Sequence, residues 1–252
     1  TLAEAIAGSE EVFGQVMTRE ARRLGMNGTH FVNATGLPAR DHYTTVRDLS
    51  ILANAVIRDF PEFYPIYSMK EFRYNNITQP NRNRLLFIDP TVDGVKTGHT
   101  EAAGYCLISS ALRDKRRLLS VVLGTASDNA RASESQKLLN WGFISYDTVA
   151  VFAKDQEVAK LRVWKGAQSE IKARFPSELN VSVPKGYADK VKSEFVAEPR
   201  LIAPIEIGQK LGVVKVSIED KPYGEYPVTA LEKIEPGNIF IRIIDTIRLW
   251  FN

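Results

Sequence analysis

Thr91-Val-Asp-Gly-Val-Lys-Thr-Gly-His-Thr100 is followed closely by Gly104-Tyr-Cys-Leu-Ile-Ser-Ser-Ala111 and Arg116-Arg-Leu-Leu-Ser-Val-Val-Leu-Gly124. Runs rich in β-branched and aromatic residues, separated by short polar turns, predict three consecutive strands, the first ending at Lys96. Upstream, Ser9 with Glu10 and Glu11 is a helix start, and Val12, Phe13, Val16, Met17, Ala21 and Leu24 recur at helical spacing before Gly25. A helix over 9–24 follows. Thr45-Val-Arg-Asp48 opens another, with Leu49, Leu52, Ala53, Val56 and Ile57 on its apolar face and Pro61 as its stop. Downstream, Ala130 to Phe143 carries Leu138, Leu139 and Trp141 in a helical context. Helices, then adjacent strands, then a helix predict an α+β layering, an antiparallel sheet with helices packed on it.

Farther out the texture changes twice. Between Pro61 and the strands, Tyr64, Tyr67, Phe72, Tyr74 and Phe87 alternate with Asn75, Asn76, Asn81 and Asn83, which reads as a long loop packed against a core. Beyond Asp147, short β-rich runs at 149–152, 159–164, 179–183, 211–218 and 226–231 predict a separate small all-β domain over 148–236. In the last stretch, 237–252, Ile239, Phe240, Ile243, Ile244, Ile247, Trp250 and Phe251 fall within an arc of about 140° at the helical repeat. Arg242, Asp245, Thr246 and Arg248 lie opposite. The segment is too short to span a bilayer and suits lying in its interface; docking on its own domain or on a partner is the alternative.

Composition narrows the field. The chain has 252 residues, 44% hydrophobic and 25% charged, with a formal net charge of +3. That charge is too small, and its basic residues too dispersed, to argue for nucleic acid. One cysteine, Cys106, excludes an internal disulfide, and its apolar strand context predicts a buried, inert thiol. His30, His42 and His99 lack short metal-ligand spacings, so neither a metal nor another cofactor is assigned.

Lys96-Thr97-Gly98 places a cation, a hydroxyl and a bare backbone on one strand, a seat for a carboxylate-ended peptide. Three common residues are weak alone, but their context is specific. Val92-Asp-Gly-Val-Lys-Thr-Gly-His-Thr100, with Ala103-Gly-Tyr105, resembles the third active-site motif of the low-molecular-mass penicillin-binding proteins, the serine-type D-alanyl-D-alanine carboxypeptidases. The segments Leu24 to Asn33, Gly36-Leu37 and His42 to Leu49 resemble that family's chain before the motif. Asn81-Arg-Asn-Arg-Leu-Leu86 resembles its run into the motif strand, and Glu134 to Phe143 its closing helix. The order is the same throughout.

The resemblance implies an incomplete transpeptidase-like fold over 1–147, the β domain over 148–236 and an amphipathic membrane anchor over 237–252, at the periplasmic face of a bacterial inner membrane. It implies as ligands a peptidoglycan pentapeptide and β-lactam antibiotics. Lys96 is then the catalytic residue of this chain, a charge beside the nucleophile that assists proton transfer and helps hold the substrate carboxylate. Thr97 bonds that carboxylate, Gly98 leaves room for the peptide, and the His99 N–H completes an oxyanion hole. Arg131 matches a second carboxylate ligand, or is an ordinary surface arginine at a helix start.

The same family needs a Ser-x-x-Lys nucleophile motif and a Ser-x-Asn motif, both preceding the Lys-Thr-Gly strand. Ser169-Glu-Ile-Lys172, Ser182-Val-Pro-Lys185 and Ser127-Asp-Asn129 match only in spelling, and all follow Lys96. Thr1-Leu-Ala-Glu-Ala-Ile-Ala7 reads as helix interior without a start signal, and resembles the helix just after Ser-x-Asn. The expectation is that the nucleophile belongs to an N-terminal portion absent here. The leading function is a D-Ala-D-Ala carboxypeptidase. Its rivals are a DD-endopeptidase or β-lactamase on the same scaffold, or a nucleophile-free binding module at the membrane.

Overall fold

Side-chain caps decide where the first helices begin. The Ser9 hydroxyl accepts the Val12 N–H at 3.1 Å, and α2 runs Glu10–Arg23 behind the short α1, Leu2–Ala7. Thr45 does the same for Asp48 at 3.1 Å and opens α3, Val46–Asp59. The computed structural model describes residues 1–250 and contains two compact units, Thr1–Phe143 and another from Ile144 onward.

In the first unit the segment after Pro61 departs from expectation. One 3-10 turn, Tyr64–Ser68, leads to a hairpin of β1, Glu71–Tyr74, and β2, Ile77–Pro80, instead of a loop packed on a core. Asn75 and Asn76 turn it with φ of 48° and 61°, the paired left-handed geometry that matches strand twist. Every residue of both strands is exposed, Phe72 at 59% and Tyr74 at 73%, while Tyr64 is buried. Asparagine tolerates left-handed backbone, so this turn signal was present in the sequence and outweighs the aromatic content.

After the single turn of α4, Leu85–Ile88, come β3, Val92–Thr100, β4, Gly104–Arg113, and β5, Arg116–Thr125. They form one antiparallel sheet in the order β3-β4-β5, so β3 is an edge. The β4–β5 turn again uses two left-handed residues, Asp114 and Lys115. Helix α5, Asp128–Ser145, covers the sheet, with Ala132 and Leu139 meeting Leu107, Ala111 and Val92 in the core. The α+β reading of this unit is correct.

The second unit is β-rich. Its strands are β6 Tyr146–Phe152, β7 Glu157–Trp164, β8 Glu170–Arg174, β9 Leu179–Pro184, β10 Val191–Ala197, β11 Leu201–Ile202, β12 Lys210–Ile218 and β13 Lys221–Thr229. They form sheets β6-β9, β11-β7-β8 and β10-β12-β13 around Ile171, Val181, Ile205, Leu211, Val214 and Ile234. Strands β8, β10 and β11 were not predicted. In the mostly exposed β10 the alternation is broken by polar residues on an open face, β11 is two residues long, and β8 is a five-residue strand that does alternate. Helix α6, Ile239–Arg248, ends the described chain; Phe251 lies outside the described residues. Among those residues no helix is long and apolar enough to cross a membrane.

A cationic cleft on the edge strand

Strand β3 is held at both ends, and each hold has a local cause. At its start, the buried Asn83 carboxamide donates to the Gly94 carbonyl at 3.0 Å and accepts the Leu85 N–H at 3.2 Å. Tyr64 donates to Asp93 at 3.0 Å, and Arg117 pairs with the same carboxylate at 2.7 Å. A Cβ on Gly94 would stand 2.6 Å from the Tyr64 hydroxyl, so any side chain there would push Tyr64 off its bond to Asp93. Burial, reinforced by the Asp93 charge, pushes the Tyr64 phenol up to about 12.

At the other end, Arg131 on the first turn of α5 donates to the Gly98 carbonyl at 3.1 Å and to the Arg82 carbonyl at 3.4 Å, and pairs with Asp128. It is 5% exposed. The sequence left Arg131 as carboxylate ligand or surface arginine; a surface position is wrong, because these acceptors draw it inward. His99 lies against Tyr105, with ring centroids 3.9 Å apart, and the Arg131 guanidinium sits 5.5 Å from that tyrosine ring.

Lys96, Thr97, Gly98, His99 and Arg131 line one cleft of about 780 Å³ in the first unit. Arg82, Arg84 and Asp128 line it too, and sequence reasoning missed all three as site residues. Arg82 and Arg84 belong to Asn81-Arg-Asn-Arg84, where two arginines flanking a buried asparagine were the available signal. Asp128 faces Arg84 at 3.5 Å and Arg131 more closely, so the cleft keeps a cationic excess. Partial desolvation, then repulsion from Arg82 and Arg131, holds Lys96 below the ordinary lysine range. Its ammonium donates to the Thr97 carbonyl. A Cβ on Gly98 would meet only Cys106 Cβ, at 3.8 Å, an ordinary contact. The fold does not itself demand glycine at Gly98. Cys106 is half-buried rather than fully buried, its Sγ 3.4 Å from the Ala103 carbonyl.

The three decoys fail on geometry. Ser169 precedes β8, which carries Lys172, so the pair lacks the helical turn that would place both on one face. Ser182 is on β9 and Lys185 lies beyond its end. Both pairs lie in the second unit. Ser127 accepts the Ala130 N–H at 3.1 Å and is occupied at the start of α5. Among the described residues no group of three or more His, Cys, Asp or Glu side chains is placed to hold a metal.

A family model for D-alanyl-D-alanine carboxypeptidase matches residues 1–127, and one for the penicillin-binding protein 5 C-terminal domain matches 146–236. The D-alanyl-D-alanine carboxypeptidase DacC of Escherichia coli is 40% identical over 253 residues, covering 100% of this chain and 63% of the relative. The penicillin binding protein 5 structure from Haemophilus influenzae superimposes with a TM-score of 0.80 at 35% identity, over 93% of this chain and 69% of that one. Penicillin-binding protein D2 of Listeria monocytogenes in its cefotaxime-bound form matches with a TM-score of 0.53 at 33% identity, over 57% of this chain and 59% of that one. This chain thus spans 63% of the length of the E. coli relative. With its Lys-Thr-Gly edge strand, the fold around it and the family model over residues 1–127, the chain belongs to the D-alanyl-D-alanine carboxypeptidase family.

Proposed function

We propose that residues 1–147 form the Lys-Thr-Gly wall of a D-alanyl-D-alanine carboxypeptidase that removes the terminal D-alanine from peptidoglycan stem peptides through a serine acyl-enzyme. The carrying observation is the convergence of Lys96, Arg82 and Arg131 on a cleft bordered by an open edge strand. A peptide ending in a carboxylate meets positive charge there, and its extended backbone can lie along β3 as an added strand. The Thr97 hydroxyl donates to that carboxylate, and bare Gly98 leaves the approach clear. The His99 N–H donates to the oxyanion formed when the carbonyl is attacked. Lys96, its pKa lowered, is suited to pass a proton between the nucleophile and the leaving amine. Arg131 supplies charge and, through Gly98, fixes the strand's height in the cleft. The serine and its lysine partner are not among the residues lining this cleft. β-Lactams, as in the cefotaxime-bound Listeria protein, are ligands for the same wall.

For α6 we propose a bilayer surface at the periplasmic face of the inner membrane. Ile239, Phe240, Ile243, Ile244, Ile247 and Trp250 are 49–80% exposed, beside Arg242 and Arg248, which suit anionic headgroups.

The test is a hybrid in which the part of the E. coli relative that this chain does not span precedes residues 1–252. It should release D-alanine from an acyl-D-Ala-D-Ala peptide, and Lys96→Ala should lower kcat/KM by about a thousandfold. A folded hybrid without release, or indifference to Lys96→Ala, would refute the assignment; rapid release of hydrolysed penicillin would favour the β-lactamase reading.

A further inference from the structure

Helix α6 inverts the usual arrangement of an amphipathic helix on its domain. Its apolar side chains are exposed, and among its described residues the buried one is a carboxylate, Asp245, at 8% exposure. That carboxylate accepts the Lys165 N–H at 2.7 Å, across 80 positions of sequence. The same residue is gripped from its other side, because the Gly237 N–H donates to the Lys165 carbonyl at 2.8 Å. Gly166 and Pro236 form a bridge, and the Ala167 N–H bonds the Glu235 carbonyl at 2.8 Å. A Cβ on Gly237 would stand 2.8 Å from the Gly166 carbonyl oxygen, so the two backbones meet directly. Lys165 itself holds a left-handed φ of 59°. The turn after β7 is therefore a socket that takes the segment leading into α6 at one point and the helix's second turn at another.

Two contacts, one just before the helix at Gly237 and one within it at Asp245, restrict its rotation more than either could alone. Arg162 and Arg248 each come within 3.9 Å of Asp245 and keep the carboxylate in a cationic surround. With Asp245 turned inward, the exposed Ile239, Phe240, Ile243, Ile244 and Ile247 are left facing away from the β unit.

We propose that Asp245 is a latch that makes α6 a rigid foot, so that the helix fixes one orientation of the β unit on the bilayer instead of tethering it by a swivelling tail. The proposal rests on the membrane reading above. Its test uses residues 1–252 as they stand, with vesicles of equal parts phosphatidylethanolamine and phosphatidylglycerol. Asp245→Ala should speed hydrogen exchange at the Lys165 amide by roughly tenfold or more, and Asp245→Asn, which keeps an acceptor oxygen, should restore most of that protection. Vesicle binding by Asp245→Ala should stay within about twofold of the parent, since the apolar face is untouched. On a supported bilayer, neutron reflectometry should find a protein layer of one thickness for the parent and a broadened layer for Asp245→Ala. Unchanged exchange, or an unchanged layer with binding intact, would overturn the latch alone. A parent protein that ignores the vesicles would instead refute the membrane reading, and the foot with it.

Discussion

The two units stabilise themselves by different means. In the unit from Ile144 onward, fifteen buried residues form one connected apolar cluster. In Thr1–Phe143 the corresponding cluster has seven, although the segment is longer. The first unit adds to its cluster polar bridges such as Asn83 to Gly94, Tyr64 and Arg117 to Asp93, and Arg131 to Gly98. Apolar burial is non-directional and accumulates with area, whereas a hydrogen-bonded bridge adds little net stability but fixes direction. A cleft that must hold Lys96, Thr97 and Gly98 at set positions has use for direction.

Removing a large apolar group should expose this contrast most strongly. Ile234→Ala, in the fifteen-residue cluster, should cost about 3 kcal/mol and lower only the later of two thermal transitions. Leu107→Ala in the first unit should cost a similar amount, yet abolish its transition at 37 °C because the starting margin is smaller. Calorimetry of both variants decides this, and a single shared transition would break the comparison. The polar bridges give a smaller effect. Asn83→Ala should cost about 2 kcal/mol, since it leaves the buried Gly94 carbonyl and Leu85 N–H without that partner, while Tyr64→Phe should cost about 1 kcal/mol. Denaturant unfolding followed by intrinsic fluorescence measures both, and the reverse order would argue against Asn83 as the principal hold on β3.

The smallest effect concerns charge. The fold holds Lys96 below the ordinary lysine range, so the folded state binds fewer protons than the unfolded one between the two pKa values. Stability should therefore rise with pH through that window, and be lower once pH falls beneath it. Arg82→Gln removes one repelling neighbour and should move the Lys96 pKa upward, narrowing the window. Titration of the lysine Nζ resonance by NMR checks the direction, and a downward move would contradict the electrostatic account.

Much of this was legible before folding. The caps Ser9 and Thr45, the spacing of α2 and α3, and the adjacent runs that become β3, β4 and β5 are local signals, and local signals survive in a linear string. The hairpin β1–β2 was misread because aromatic content was weighed above the Asn75-Asn76 turn. Strands β10 and β11 were missed because their pairing with β12 and β7 is set by partners well separated in the chain; β8, which alternates and pairs with its neighbour β7, carried a local signal that was overlooked.

For the site, the sequence by itself determined the chemistry on offer, since Lys96, Thr97, Gly98 and His99 are neighbours in the chain and share one strand. Tertiary structure alone decided the rest. Arg131 reaches Gly98 from 33 positions away, Arg82 adds its charge from another element, and Asp245 finds Lys165 across 80. Periodicity states which side chains share a face of one element. It carries no information about which carbonyl or amide a side chain meets on another, because that depends on long-range packing and loop closure.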